Sequence, residues 1–160
     1  MELDEVDQGI LYLLQRDARR LTTQEMGEQV GVAASTIRNR IEKLEEAGII
    51  RGYYPDVDYD KAGLQLYVEM ICSAPNPKRE QLAKEARSVE GVIAIREVLN
   101  GEENIQIDAV GTDSDNVARI ADELSKIGLK VVNTKIIKDT FTQPFNHFGQ
   151  HVVTEGEPDG

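Results

Sequence analysis

The stretch TTQEMGEQVGVAASTIRNRIEKLEEAG, residues 22–48, decides the fold of the first third of the chain. It opens on a capping box, because the Thr22 hydroxyl can accept from the amide of Glu25 while the Glu25 carboxylate reaches back. Gly31 supplies a turn with positive φ, and apolar residues then recur at helical spacing from Ile37 to Leu44. The stretch therefore predicts a helix, a tight turn and a second helix.

A further helix is predicted upstream, where Asp4 is a good N-cap and apolar residues recur at helical spacing from residue 3 to residue 14. Downstream, residues 49–54 predict a short apolar strand, and the polar residues that follow predict a hinge over 56–63. Residues 1–55 are thus expected to form a helix-turn-helix domain.

The second half changes period. Its apolar pattern predicts the order strand, helix, strand, strand, helix, strand over residues 64–140, which is the ferredoxin-like βαββαβ arrangement of an α+β protein. Such a sheet has helices on one face, and we expect a second copy of the chain to cover the other. To that uncovered face we assign the apolar residues of the first strand, namely Leu64, Leu66, Val68 and Met70, or their counterparts. Residues 141–160 lack periodicity and predict a frayed tail.

Composition limits the classes of function. The 160 residues carry 18 basic and 29 acidic side chains, a net charge of -11, which disfavours non-specific binding to nucleic acid or anionic lipid. Any DNA contact must come from a local basic face. The acidity is also what a high-salt habitat favours. The single cysteine, Cys72, forms no internal disulfide, and no apolar run approaches the roughly 18 residues of a membrane span, so we expect a soluble cytoplasmic protein.

The third predicted helix has such a face. Ser35 and Asn39 lie opposite its apolar stripe, and its N-terminal half contains no acidic residue. Short polar and arginine side chains suit base edges and phosphates in a major groove. The alternative, a solvated helix face, describes the acidic C-terminal half better. The predicted DNA contacts are Thr22, Thr23, Ser35, Thr36, Arg38, Asn39, Arg40, Lys43 and Arg51.

Residues 3–15 and 31–53 resemble the helix-turn-helix of the Lrp/AsnC (feast/famine) transcription regulators, and the second half resembles that family's effector and assembly domain. The resemblance spans roughly residues 3–140. It implies a sequence-specific regulator without catalysis or cofactor, which binds double-stranded DNA, forms dimers or larger homo-oligomers through its sheets, and holds a small effector, usually an amino acid, between dimers. The implied effector residues are Gly101, Glu103, Asn104, Thr112, Asp113, Ser114 and Thr134.

Three residues depart from the family pattern. Ala33 stands where a serine commonly caps the recognition helix, so the start of that helix must rely on another group. Asn104 and Ile136 stand where the effector site commonly has Asp and Thr. These departures predict weak or altered amino-acid binding, displaced toward a cationic ligand by the acid near residue 103.

Two other functions stay open. Siroheme decarboxylases resemble the same family in both domains, but they use His and basic residues around the tetrapyrrole, and this chain has only His147 and His151, both in the tail. A ligand-binding oligomer that no longer touches DNA is the other. The two histidines are four residues apart, yet Gly149 lies between them and no third ligand is evident, so we expect no metal site.

Overall fold

The computed structural model describes residues 1–153. The chain divides into two compact units. The helical unit comprises Met1–Pro55 together with the C-terminal segment from Phe141, and the sheet unit comprises Asp56–Thr140. Among the described residues, no helix is long and apolar enough to cross a membrane.

The helical unit contains α1 (Glu5–Asp17), α2 (Thr23–Val30) and α3 (Ala34–Glu46). The predicted capping box at the start of α2 is present, and Gly31 ends that helix with φ of +86°. The helix-turn-helix prediction is confirmed. Its core is built from the apolar stripes of the three helices: Ile10, Leu11, Leu13, Met26, Ile37 and Leu44.

The predicted strand over residues 49–54 is wrong. The amides of Ile49 and Ile50 both donate to the carbonyl of Leu44 and so close the end of α3. A strand needs a partner for its backbone groups, and within residues 1–153 none lies beside this segment. A short apolar run alone does not supply one.

The predicted frayed tail is wrong over residues 141–153, where the segment packs within the helical unit; the rest of that tail, residues 154–160, lies outside the described residues. Val153 is buried in the core of the helical unit, and Phe148 packs against the same core. Gly149 has φ of +72°, and a Cβ built there would lie 2.7 Å from the backbone nitrogen of Gly9 in α1. The segment therefore docks where the missing side chain of Gly149 lets its backbone lie against that of α1, a contact that the periodicity of the sequence does not predict.

The sheet unit follows the predicted order. Its elements are β1 (Leu66–Ser73), a 3₁₀ turn (Asn76–Lys78), α4 (Arg79–Ala86), β2 (Val92–Glu97), β3 (Ile105–Gly111), α5 (Ser114–Ile127) and β4 (Lys130–Ile136). The sheet has the order β2-β3-β1-β4, and every neighbouring pair is antiparallel. The ferredoxin-like prediction is confirmed.

The assignment of faces is wrong. Val68 and Met70 are fully buried in the core that the sheet forms with α4 and α5, and the strand parity places Leu66 on the same side. The other face of β1 carries Tyr67, Glu69 and Ile71. Alternation shows that the two faces of a strand differ, but it does not show which one the helices cover.

Candidate nucleic-acid interface and effector site

The outer face of α3 gathers most of the predicted DNA contacts. Ser35, Arg38, Asn39 and Lys43 are exposed, and Thr36 is half-buried beside them. The first turn of α3 has no acidic residue. The short polar groups and two cations on this face can donate to base edges and phosphates.

The start of α3 is secured without a side-chain cap. Ala33 is the N-cap residue and makes no side-chain hydrogen bond. Instead, Gly27 lets α2 lie close to the turn that precedes α3, because a Cβ there would lie 2.5 Å from the carbonyl oxygen of Val32. No side chain caps the first turn of α3, in which the Thr36 amide donates to the Ala33 carbonyl at 3.0 Å, and phosphate oxygens suit an uncapped helix start.

The other predicted contacts are placed differently. The Thr22 hydroxyl accepts from the amide of Glu25 at 3.1 Å and donates to its carboxylate at 3.0 Å. The hydrogen bonds from the Thr22 amide and hydroxyl lower the pKa of Glu25. Thr23, the first residue of α2, is half-buried, and Arg51 is exposed just after α3. Thr22 therefore serves the start of α2, while the Arg51 side chain is accessible to solvent.

Arg40 differs from the other basic residues of α3. Its Nη1 donates to Asp4 Oδ2 at 2.6 Å and to Asp7 Oδ1 at 3.1 Å. The hydrogen bond to Asp4, followed by that to Asp7, raises the pKa of the guanidinium. The pKa of Asp4 is lowered, mainly by its bond from the Asp7 amide and then by Arg40. The sequence placed Arg40 with the base-reading groups, but the structure turns its guanidinium toward α1.

The implied effector residues do not converge within one protomer. Gly101, Glu103 and Asn104 precede β3, whereas residues 112–114 follow it. A seven-residue strand spans roughly 20 Å. Thr134 lies on β4, opposite Met70 in the middle of β1. These groups can meet in a single site only if different protomers contribute them.

Two of these residues have structural roles. Asn104 is buried; its amide oxygen accepts from the Ala74 amide at 2.9 Å, and its amide nitrogen donates to the Ala74 carbonyl at 2.8 Å. Asp113 caps α5 by accepting from the Asn116 amide at 2.8 Å. The remaining members of the set are exposed: Gly101, Glu103, Thr112, Ser114 and Thr134.

Sequence reasoning missed an open groove at the end of the sheet unit that carries Gly101. It has a volume of about 500 Å³, and its charged lining residues are Glu102 and Lys130. Ser73 and Asn76 line it from the segment after β1. No sequence signal joins these residues, because they come from three separate connections.

The family model for winged helix-turn-helix DNA-binding matches residues 3–51. An HTH-type transcriptional regulator from Pyrococcus abyssi is 33% identical over 130 residues, which cover 80% of this chain and 83% of that protein. The Leucine response regulatory protein LrpA of Mycobacterium tuberculosis superposes with a TM-score of 0.75 over 88% of this chain and 96% of its own, at 20% identity. The chain belongs to the Lrp/AsnC family of transcriptional regulators.

A further structural neighbour was solved with an amino acid bound. The transcriptional regulator NMB0573 of Neisseria meningitidis, solved as a complex with L-Met, superposes with a TM-score of 0.74 at 25% identity. The match covers 90% of this Lrp/AsnC chain and 95% of that one. The likeness thus extends through both units.

The open sheet face of this Lrp/AsnC regulator is polar at its centre. Arg96 donates to Asp108 at 2.7 Å and to Glu69 at 3.1 Å, and the Tyr67 hydroxyl donates to Asp108 at 2.9 Å. Burial and the bond to Asp108 raise the pKa of Tyr67 to about 12. The face that the helices leave open therefore presents a network of ion pairs rather than the apolar residues that were predicted.

The side chains considered for other chemistry do not assemble a site in this Lrp/AsnC regulator. His147 and His151 are exposed, and within residues 1–153 no group of three His, Cys, Asp or Glu side chains could hold a metal ion. Cys72 is fully buried, and burial raises the pKa of its thiol to about 11. The relatives named above are regulators, which favours DNA binding over the decarboxylase alternative.

Proposed function

We propose that this transcriptional regulator acts in the cytoplasm as a dimer that reads a two-fold symmetric DNA site, with α3 of each protomer in a major groove. The observation that carries the proposal is the acid-free N-terminal half of α3 in a chain with a net charge of -11. Ser35, Arg38 and Asn39 would contact base edges or nearby phosphates, and Lys43 and Arg51 would contact the backbone. Two-fold symmetry would place the half-sites about 10 base pairs, or a multiple of that, apart.

The acidity of the chain supports local rather than general attraction to DNA. Asp and Glu outnumber Lys and Arg by 29 to 18, so the molecule as a whole repels phosphate. Arg38 and Lys43 make no ion pair with any of residues 1–153, so both cations are free for DNA. Specific contacts must then contribute a large share of the binding free energy.

The proposal is tested on a site selected from random DNA with the full chain. Asn39→Ala and Arg38→Ala should each weaken binding to that site by about 1–3 kcal/mol. Arg87→Ala removes an exposed arginine of the sheet unit and should leave binding unchanged. If both α3 variants bound as tightly as the unchanged protein while melting normally, α3 would not be the reading helix.

We also propose that a small effector with a cationic group binds near residues 101–104, in a site that a second protomer completes. Glu102 and Glu103 are exposed there, and Lys130 stands across the groove as a partner for a carboxylate. The side chain of Asn104 is committed to Ala74, which supports the expectation of altered amino-acid binding.

Calorimetry with the twenty amino acids tests the effector proposal. A basic amino acid should bind more tightly than leucine or alanine, and Glu102→Gln combined with Glu103→Gln should abolish that preference. Tight binding of a small neutral amino acid that survives the double substitution would contradict it.

A further inference from the structure

We propose that Arg40 is a positioning residue, which orients the reading helix α3 by tying it to the start of α1 and does not itself contact DNA. This inference rests on the proposed function, because it assigns the orientation of the helix that reads the DNA. It distinguishes Arg40, which pairs with two carboxylates at the start of α1, from Arg38 on the same helix, which makes no ion pair within residues 1–153.

Each of the two carboxylates that bind Arg40 accepts two hydrogen bonds, one from a backbone amide at the start of α1 and one from the guanidinium. Asp4 Oδ1 accepts from the Asp7 amide at 2.9 Å, and Asp7 Oδ2 accepts from the Asp4 amide at 3.2 Å, so one oxygen of each closes the first turn of α1. The remaining oxygens, Asp4 Oδ2 and Asp7 Oδ1, both accept from Arg40 Nη1. The start of α1 and the middle of α3 therefore form one hydrogen-bonded assembly.

The burial of this assembly opposes any movement of Arg40 to DNA. The Asp7 side chain is only 2% exposed, and that of Arg40 is 30% exposed. If Arg40 swung out to a phosphate, it would leave a buried carboxylate without its cation, which is strongly unfavourable. Arg38 and Lys43 carry no such constraint, since both are exposed.

Arg40 also lies where it can set the angle of α3. On the helix it flanks the apolar stripe, one turn after Thr36 and next to Asn39. A tether at this position holds the middle of α3, on the side of the helix that faces α1. Base contacts depend on the placement of the helix, whereas the total charge near the phosphates does not, so loss of the tether should affect specific binding above all.

The experiment compares three variants of the full chain on the selected site and on random DNA, over a series of salt concentrations. Arg40→Met removes the tether; Asp4→Asn weakens it from the other side while keeping a good N-cap, and the Asp4 side chain is half exposed, so the fold should tolerate the change. Arg38→Met is the matched control on the same helix. Thermal melting shows that each variant is folded.

The expected result is that Arg40→Met weakens specific binding about fivefold or more, the effect of losing roughly one good base contact, without changing the dependence on salt. Asp4→Asn should weaken specific binding in the same direction, although it makes the protein less negative. Arg38→Met should also weaken specific binding. Normal specific binding by Arg38→Met would contradict the proposal that α3 reads the DNA, independently of the result for Arg40→Met.

Three results would overturn the inference itself. Tighter binding by Asp4→Asn would mean that a released Arg40 reaches the DNA. A fall of about 0.9 in the salt slope for Arg40→Met would indicate a lost phosphate contact. Unchanged specific binding in both the Arg40 and the Asp4 variants would show that the tether does not position α3.

Discussion

Replacing Gly149 with alanine should detach the C-terminal segment from the helical unit. Gly149 is buried with φ of +72°, and a Cβ there would lie 2.7 Å from the Gly9 nitrogen and 2.9 Å from the Gln8 carbonyl carbon. These are backbone atoms of α1 and cannot turn aside as a side chain can. The segment must therefore move away.

The cost of this change is the cost of undocking, because an alanine in the freed segment no longer has to adopt the left-handed backbone conformation. Undocking then exposes Val153 and part of Phe148, which costs about 2–4 kcal/mol and is partly offset by the chain entropy that the freed segment regains. We expect a total loss of about 2–3 kcal/mol in the free energy of unfolding, close to that of a chain ending at Thr140.

Gly31→Ala is the matched control. Gly31 has φ of +86° in the same unit, but a Cβ there would meet nothing within 4 Å, so only the backbone cost of about 1 kcal/mol applies. Urea unfolding followed by circular dichroism measures both variants. Hydrogen exchange of the Val152 and Val153 amides, which donate to the Gly149 carbonyl, reports docking directly. Equal destabilisation by the two substitutions, with those amides still protected, would refute the reasoning.

Three further predictions concern single groups. Asn104→Leu should lower the free energy of unfolding of the sheet unit by about 2–4 kcal/mol, because the buried amide and carbonyl of Ala74 lose their partners, and faster exchange of the Ala74 amide would confirm the cause. The hydrogen bonds from Thr22 hold the pKa of the Glu25 carboxyl below its ordinary value, so the stabilisation from this carboxylate is present above that ordinary value and is lost as the pH falls through the lowered pKa; melting curves of Glu25→Gln should decline less on acidification than those of the unchanged protein. Cys72 should not react with a thiol reagent at pH 8 until the protein unfolds, since its thiol is buried with a pKa of about 11, and rapid labelling of the native protein would contradict this.

The sequence by itself determined the features that depend on neighbours a few residues apart. The N-cap Asp4, the capping box of α2, the left-handed glycine after α2 and the helical stripes all involve residues within about two turns of one another, so the pattern predicts them directly. The alternation of β1 and the order of strands and helices predicted the ferredoxin-like unit for the same reason. The resemblance to the family added the expectation of DNA reading, which the acid-free half of α3 supports.

Only the tertiary structure decided what depends on residues far apart in the chain. Arg40 pairs with a carboxylate 36 positions away, and Gly149 meets Gly9 across nearly the whole chain length. In the same way, Asn104 has a structural role because its side chain hydrogen-bonds to the backbone of Ala74. Which face of β1 is buried depends on the side on which the helices pack. Local sequence patterns predict the backbone conformation of a segment, but they do not predict which distant residues it contacts. Those partners are selected when the units pack, because each buried charge or amide must then find a complementary group.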